Sequence, residues 1–310
     1  MRWTRIAITT VILAVLVWRL GTGPFLDGLH TVDGAALAAA AGLAVLTTVC
    51  CAWRWRIVAR GLGVELPMGT AIAAYYRSLF LNVALPGGVV GDVHRGISHG
   101  RDTRDVGRGL RAVAWERSAG QVVQIGLTVV LLLVLASPVR GAMPVVAVAL
   151  LAAATVVVVI ARRPLARDKA SRWARLRHAV GRDLRGGLLA RRAWPAIALA
   201  SALVVAGHAA TFLIAARTAG ATASPSRMVP LALLVLLGAA LPNIGGWGPR
   251  EGVTAWAFGA AGLGASLGVA TAVVYGVMVF VASLPGAAVL VVDWVRRARP
   301  TPWLEGAPDV

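Results

Sequence analysis

Apolar runs close to the length of a membrane-spanning helix recur along this chain and leave it few folds to choose from. They lie at about 6–20, 35–52, 67–85, 112–136, 143–161, 194–216, 229–241 with 252–263, and 266–295. A helix needs ~20 apolar residues to cross a ~30 Å hydrocarbon core, and several of these runs approach that. With hydrophobic residues at 58% and charged residues at 14%, the chain has too little polar surface to cover a soluble fold. The expected class is all-α: a polytopic membrane protein of about six full spans with two re-entrant helical hairpins. One transmembrane domain covers 1–295, and a short cytoplasmic tail covers 296–310.

The net charge of +18 does not point to nucleic acid. The arginines gather in short stretches between apolar runs, as they do in cytoplasmic loops. The stretch 162–192 holds eleven Arg or Lys against two Asp. Arg54, Arg56 and Arg60 mark a second such stretch. Arg95, Arg101, Arg104, Arg108 and Arg111 mark a third, and Arg296, Arg297 and Arg299 a fourth. Connections near Asp27–Asp33, Ser137–Ala142 and Arg217–Arg227 carry less positive charge and are expected to face outward. The opening MRWTRIAITTVILAVLVWRL is followed by no small-residue cleavage site, so it reads as a first anchor. Both termini are then cytoplasmic. Cys50 and Cys51 are adjacent and no His stands at ligand spacing, so neither a metal nor a cofactor is expected.

This charge pattern puts both flanks of 67–92 inside, so that segment dips in and returns. By the same count 229–263 dips from the outer side before 266–295 crosses back. Two halves emerge, about 35–136 and 194–295, with opposite orientation. Each hairpin breaks at a Leu-Pro: LPGGVVGD at 85–92 and LPNIGGWGPRE at 241–251. Broken helices at matching positions of inverted repeats mark the binding site of many transporters. Backbone freed from its helix inside a membrane survives only where protein or a water-filled cavity surrounds it. Broken helix ends offer amide groups and partial positive charge to an anion such as phosphate.

Charged residues cluster at these breaks. Asp92 and Arg95 follow the first, Arg250 and Glu251 follow the second, and Glu116 and Arg117 stand early in the span 112–136. An ionisable group at membrane depth costs about 2.5–3.5 kcal/mol on insertion scales. The pairs either lock the hairpins by neutralising one another or handle a ligand. Arg77 either reaches the cytoplasmic surface or faces the cavity. His94 reads as a loop residue and His208 as a helix–helix hydrogen bond.

The blocks FLNVALPGGVVGDVHRG (80–96), AVAWERSAG (112–120) and LPNIGGWGPREG (241–252) together resemble the lysylphosphatidylglycerol synthase transmembrane, or flippase-like, family. The C-terminal VATAVVYGVMVFVASLPGAAVLVV is similar to that family's last span. The resemblance implies a bacterial inner-membrane protein that moves an anionic or polar-headed lipid, a phospholipid or polyprenyl-linked, between leaflets. Its substrate-binding positions carry over to Asn82, Pro86, Gly87, Gly88, Gly91, Asp92 and Arg95, to Glu116 and Arg117, and to Pro242, Gly245, Gly246, Gly248, Arg250 and Glu251. Arg95, Arg117 and Arg250 would hold the headgroup. The Asn243-Ile244 spacer departs from the family pattern. Only RRARPTPWLEGAPDV follows Val295, so no aminoacyl-transferring domain is expected. Two other readings stay open: a membrane-embedded transferase, and a scaffold for a cell-envelope enzyme partner.

Overall fold

The computed structural model describes residues 22–85, 88–135, 137–162, 193–240 and 247–298, with isolated positions at 14, 17, 18, 181, 183 and 190. The expected first anchor, most of the stretch 162–192 and the tail from Arg299 lie outside the described residues. So do Pro86, Gly87, Pro242, Gly245 and Gly246 of the two breaks.

The described residues form ten α-helices. After α1 (Gly23–His30) come α2 (Gly34–Gly61), α3 (Met68–Ala84), α4 (Val90–Asp102), α5 (Val106–Val134) and α6 (Met143–Arg162). The second half holds α7 (Trp194–Thr218), α8 (Pro225–Ala239), α9 (Pro249–Ala260) and α10 (Ala265–Ala298). By length and composition, α2, α5, α7 and α10 can cross a membrane, while α8 is apolar but shorter. Local chemistry starts these helices where they start. Asp33 caps α2 by accepting from the Ala36 amide at 2.6 Å, and Asp105 caps α5 through the Arg108 amide at 2.8 Å. Proline occupies the first turn of α7, α8 and α9, where no amide donor is needed.

The order long, short, short, long appears twice: α2–α5 at 28, 17, 13 and 29 residues, and α7–α10 at 25, 15, 12 and 34. The packing repeats with it. In each half the two short helices lie against one another and the second lies against the long helix that follows. Between halves, α2 packs on α7, α10 lies on α3, and α5 lies correspondingly on α8. One apolar cluster, built around Phe212, Phe258 and Tyr275, gathers α7–α10. A second, around Trp55 and Tyr75, gathers α2, α3 and α5.

Two expectations need correction. Arg54 does not belong to a loop: α2 runs on to Gly61, and Arg54 is buried within it. Nor is 95–111 a loop, because α4 continues to Asp102 and α5 begins at Val106. Arg95 and His94 are therefore helical, the first buried and the second exposed. The physical reason is the same for both arginines. Each pairs with the buried Glu116, so a helical position inside the fold does not leave its charge uncompensated.

Close helix approaches depend on missing side chains. A Cβ at Gly286 of α10 would fall 2.1 Å from the Tyr76 carbonyl oxygen of α3, and one at Gly91 of α4 would fall 2.1 Å from that of Ser78. Small residues admit such contacts between membrane helices. Gly286→Val is expected to lower stability by about 1–3 kcal/mol through overpacking. Gly126→Ala, where nothing lies within 4 Å, should not lower it and can raise it by up to about 1 kcal/mol. Melting of the purified protein in detergent reads both.

Candidate functional site: a buried charge network beside a cavity

Glu116 is fully buried and accepts at both oxygens. Its Oε1 takes Arg54 Nε at 2.9 Å and the Tyr75 hydroxyl at 3.2 Å, and its Oε2 takes Arg95 Nη2 at 3.0 Å. Arg54 also donates from Nη2 to Oε1 and from Nη1 to Ser201 Oγ, at 2.9 Å, which ties α2 to α5 and α7. A Cβ at Gly120 would meet Arg54 Nη1 at 2.8 Å, so the glycine one turn past Glu116 leaves space for that guanidinium.

Arg95 bridges the two carboxylates, donating from Nη2 to Asp92 Oδ1 at 3.0 Å as well as to Glu116. Its Nε and Nη1 have no hydrogen-bond acceptor among the described residues. Aromatic faces take that place: the guanidinium carbon lies 4.4 Å from the Trp55 ring centre and 4.2 Å from that of Tyr75. Cation–π attraction strengthens as the pair loses water.

Asp92 collects four donors. Ser78 Oγ and Arg95 reach Oδ1, while Asn82 Nδ2 at 3.0 Å and Arg117 reach Oδ2. Asn82 Oδ1 in turn accepts the Gly91 amide at 2.8 Å, so one side chain of α3 fixes the first turn of α4. Three guanidiniums against two carboxylates leave one positive charge in excess. Of the three, only Arg117 is open, with its side chain 45% exposed against 5% for Arg54 and none for Arg95.

The second break is simpler. Glu251 is the third residue of α9, as Asp92 is of α4. Its Oε2 accepts the Gly248 amide at 2.6 Å and its Oε1 accepts Arg250 Nε at 2.9 Å. Gly248 has φ of 102°, a conformation open to glycine and strained for other residues. Arg250 lies between Trp247 and Tyr275, whose ring centres are 5.3 and 5.7 Å from its guanidinium carbon. A Cβ at Gly276 would fall 2.4 Å from Arg250 Nη2, so a glycine of the last long helix backs the arginine here too.

A cavity of about 730 Å³ opens between the halves. Gly88 and Val89 line it just past the first break, Ala239 and Ala240 just before the second. Asp92 and Arg117 form its charged wall, and Val113, Val204 and Leu236 are among its apolar ones. Of the three arginines expected at a headgroup, Arg117 therefore stands on the cavity wall, whereas Arg95 and Arg250 are buried behind it. Arg250 and Glu251 form a charged set separate from that of the first half. Among the described residues no hydrogen bond or ion pair joins the two sets, and Tyr275, which lines the cavity, stands beside Arg250.

Arg54, Tyr75 and Ser78 were not foreseen as members of the network. Gln121 and Gln124 on the cavity wall were not foreseen either, although their spacing of four and seven residues from Arg117 put them on its helix face. His208 of α7 does hydrogen-bond across helices, its Nδ1 lying 3.4 Å from the Tyr275 hydroxyl. Arg77 neither faces the cavity nor stands free: it pairs with Asp293 of α10 at 2.6 Å. No group of three or more His, Cys, Asp or Glu that could hold a metal occurs among the described residues.

Among the described residues the fold is all-helical, with four helices long and apolar enough to span a bilayer and charges buried between them, as in an integral membrane protein. The lysylphosphatidylglycerol synthase TM region family matches residues 2–286, and the chain belongs to that family. A search of curated proteins and a search of solved structures each found no match.

Glu116 holds both of the network's buried cations, so Glu116→Leu is expected to cost about 3–5 kcal/mol by leaving Arg54 and Arg95 short of a counter-charge. The double change Arg54→Met with Glu116→Leu should recover part of that loss, because fewer uncompensated charges remain. Melting temperatures of both variants in detergent measure the difference.

Proposed function

We propose that this protein moves an anionic or polar-headed lipid between the leaflets of the bacterial inner membrane. Family membership supports a lipid-related role in a membrane. One observation carries the rest: described residues on the flanks of both helix breaks line one cavity that has apolar walls and, among the described residues, one open guanidinium, Arg117. A lipid's acyl or isoprenoid tails can stay in the bilayer while its phosphate exchanges water for Arg117. Planar guanidinium suits phosphate because two parallel N–H groups match two oxygens.

The remaining family positions then divide by task. Asp92 aims Arg117, and Asn82 with Gly91 sets the turn that places Asp92. Arg95 and Glu116 hold Asp92 from behind. Glu251 closes the start of α9 and keeps Arg250 beside Tyr275. Gly88, Val89, Ala239 and Ala240, the described residues nearest the two breaks, border the cavity itself.

In the membrane, α3–α4 and α8–α9 form the two re-entrant hairpins of an inverted-topology repeat, with about six full spans around them and both termini in the cytoplasm. The repeated order and packing of helices supports this. So does the positive charge of Arg56, Arg60, Arg101 and Arg104, which stays outside the buried network. Exchange of partners among Asp92, Arg95 and Glu116 would let the cavity turn from one leaflet to the other.

Two measurements test the proposal. Single cysteines at Arg60 and Arg101 are expected to resist an impermeant thiol reagent in intact cells, while one at Ala223 is labelled. Labelling at Arg101 with protection at Arg60 contradicts the inverted repeat. In vesicles made with the purified protein, Arg117→Ala should reduce movement of a fluorescent phospholipid at least tenfold. Its melting temperature should stay within a few degrees, since Asp92 keeps Ser78, Asn82 and Arg95. Arg117→Lys should restore only part of the activity. Full movement with Arg117→Ala contradicts the headgroup role.

A further inference from the structure

Arg117, Gln121 and Gln124 stand at i, i+4 and i+7 on α5, and all three line the cavity. Helical rise places the two amides about 6 and 10 Å along the axis from Arg117. Among the described residues neither glutamine side chain has a hydrogen-bond partner, and Gln124 is half-buried. With Gln121 exposed and Gln124 half-buried on the cavity wall, both amides are free to bond a polar group that enters. Opposite them, His208 and Tyr275 from α7 and α10 complete an uncharged wall that can donate and accept.

The carboxylates give the complementary information. Asp92, the one carboxylate on the cavity wall, already accepts four donors, two of them guanidiniums. Glu116 and Glu251 are buried away from the cavity wall with both oxygens taken. An ammonium entering the cavity meets the open Arg117 and finds no anion free to receive it. A phosphate meets a cation, and a neutral hydroxyl group beyond the phosphate meets Gln121 and Gln124.

We propose that this cavity selects lipids whose phosphate carries an uncharged, hydroxyl-bearing group, and disfavours those whose headgroup ends in an ammonium. The inference rests on reading the cavity as a lipid-headgroup site. Its volume lies within the roughly 300–1,000 Å³ of small-molecule sites, enough for a phosphate with a glycerol or a sugar. Phosphatidylglycerol and a polyprenyl-phosphate sugar share this chemistry. The chain's selectivity would then run opposite to the lysylated lipid in its family's name.

The test compares five lipids: phosphatidylglycerol, a polyprenyl-phosphate hexose, phosphatidic acid, phosphatidylethanolamine and lysylphosphatidylglycerol. Each is added to micelles of the purified protein, with thermal stabilisation as the binding readout, and to vesicles in fluorescent form, with movement as the second. At least one hydroxyl-bearing lipid is expected to bind about tenfold more tightly than phosphatidic acid and than either aminated lipid, from two hydrogen bonds gained. Whichever of the two binds more tightly identifies the source. Gln121→Leu with Gln124→Leu should remove the gap between that lipid and phosphatidic acid, and each single change should narrow it about threefold. Aminated lipids binding as tightly, or a preference that survives the glutamine variants, overturns the inference. Selective binding with no movement overturns transport and leaves the selectivity standing. Movement without headgroup preference overturns the selectivity alone.

Discussion

The carboxylate of Glu116 is the interaction on which the rest of this structure depends. It sits fully buried on α5 and is reached from α2 by Arg54, from α3 by Tyr75 and from α4 by Arg95. Arg54 extends the same contact to α7 through Ser201. Five helices from both halves thus converge on one side chain. Each of these charges would be expensive alone at membrane depth. Together they satisfy one another, and the rings of Trp55 and Tyr75 cover the part of Arg95 that no acceptor reaches. Removing Glu116 would leave Arg54 without a carboxylate and Arg95 with Asp92 alone, so this carboxylate favours one arrangement of the helices around it.

The two halves repeat a helix order without repeating their chemistry. Asp92 and Glu251 hold the same third position of their short helices, and Glu116 and Tyr275 the same eleventh position of the long helices that follow. The first half makes this position a carboxylate that gathers cations. The second makes it a phenol that borders the cavity and hydrogen-bonds His208. Among the described residues, the first half therefore supplies the charged groups of the cavity wall, while both halves supply neutral and apolar ones. A cavity built from unlike walls can hold an amphiphile in one orientation, with its phosphate on the charged side.

Much of this was legible in the sequence because it follows from local rules. Apolar run length pointed to the all-helical membrane class, and described helices end at Ala84 and Ala239, just before the two Leu-Pro positions. Asp92, Arg95, Glu116 and Arg117 were singled out by the cost of charge at that depth, and three of their mutual contacts formed. What stayed illegible was pairing across distance. Arg54 lies sixty-two residues from Glu116, and an arginine near the end of an apolar run looks like a loop residue until its partner is known. Arg95 was misread as a loop arginine for the same reason. Sequence also marks a charge without saying whether it is open. Arg95, Arg117 and Arg250 look equivalent as letters, yet stacking buries the first, a neighbouring glutamate holds the third, and only the second meets the cavity.

The central claim is that the cavity between the two breaks presents Arg117 to a lipid phosphate. An experimental structure of the protein in nanodiscs of phosphatidylglycerol tests this most directly. The account predicts lipid density in the cavity with a phosphate oxygen at about 2.7–2.9 Å from the Arg117 guanidinium and tails leaving towards the bilayer. A cavity closed by contact between Gly88 and Ala240, or lipid phosphates found only at the outer faces of the helices, would contradict it.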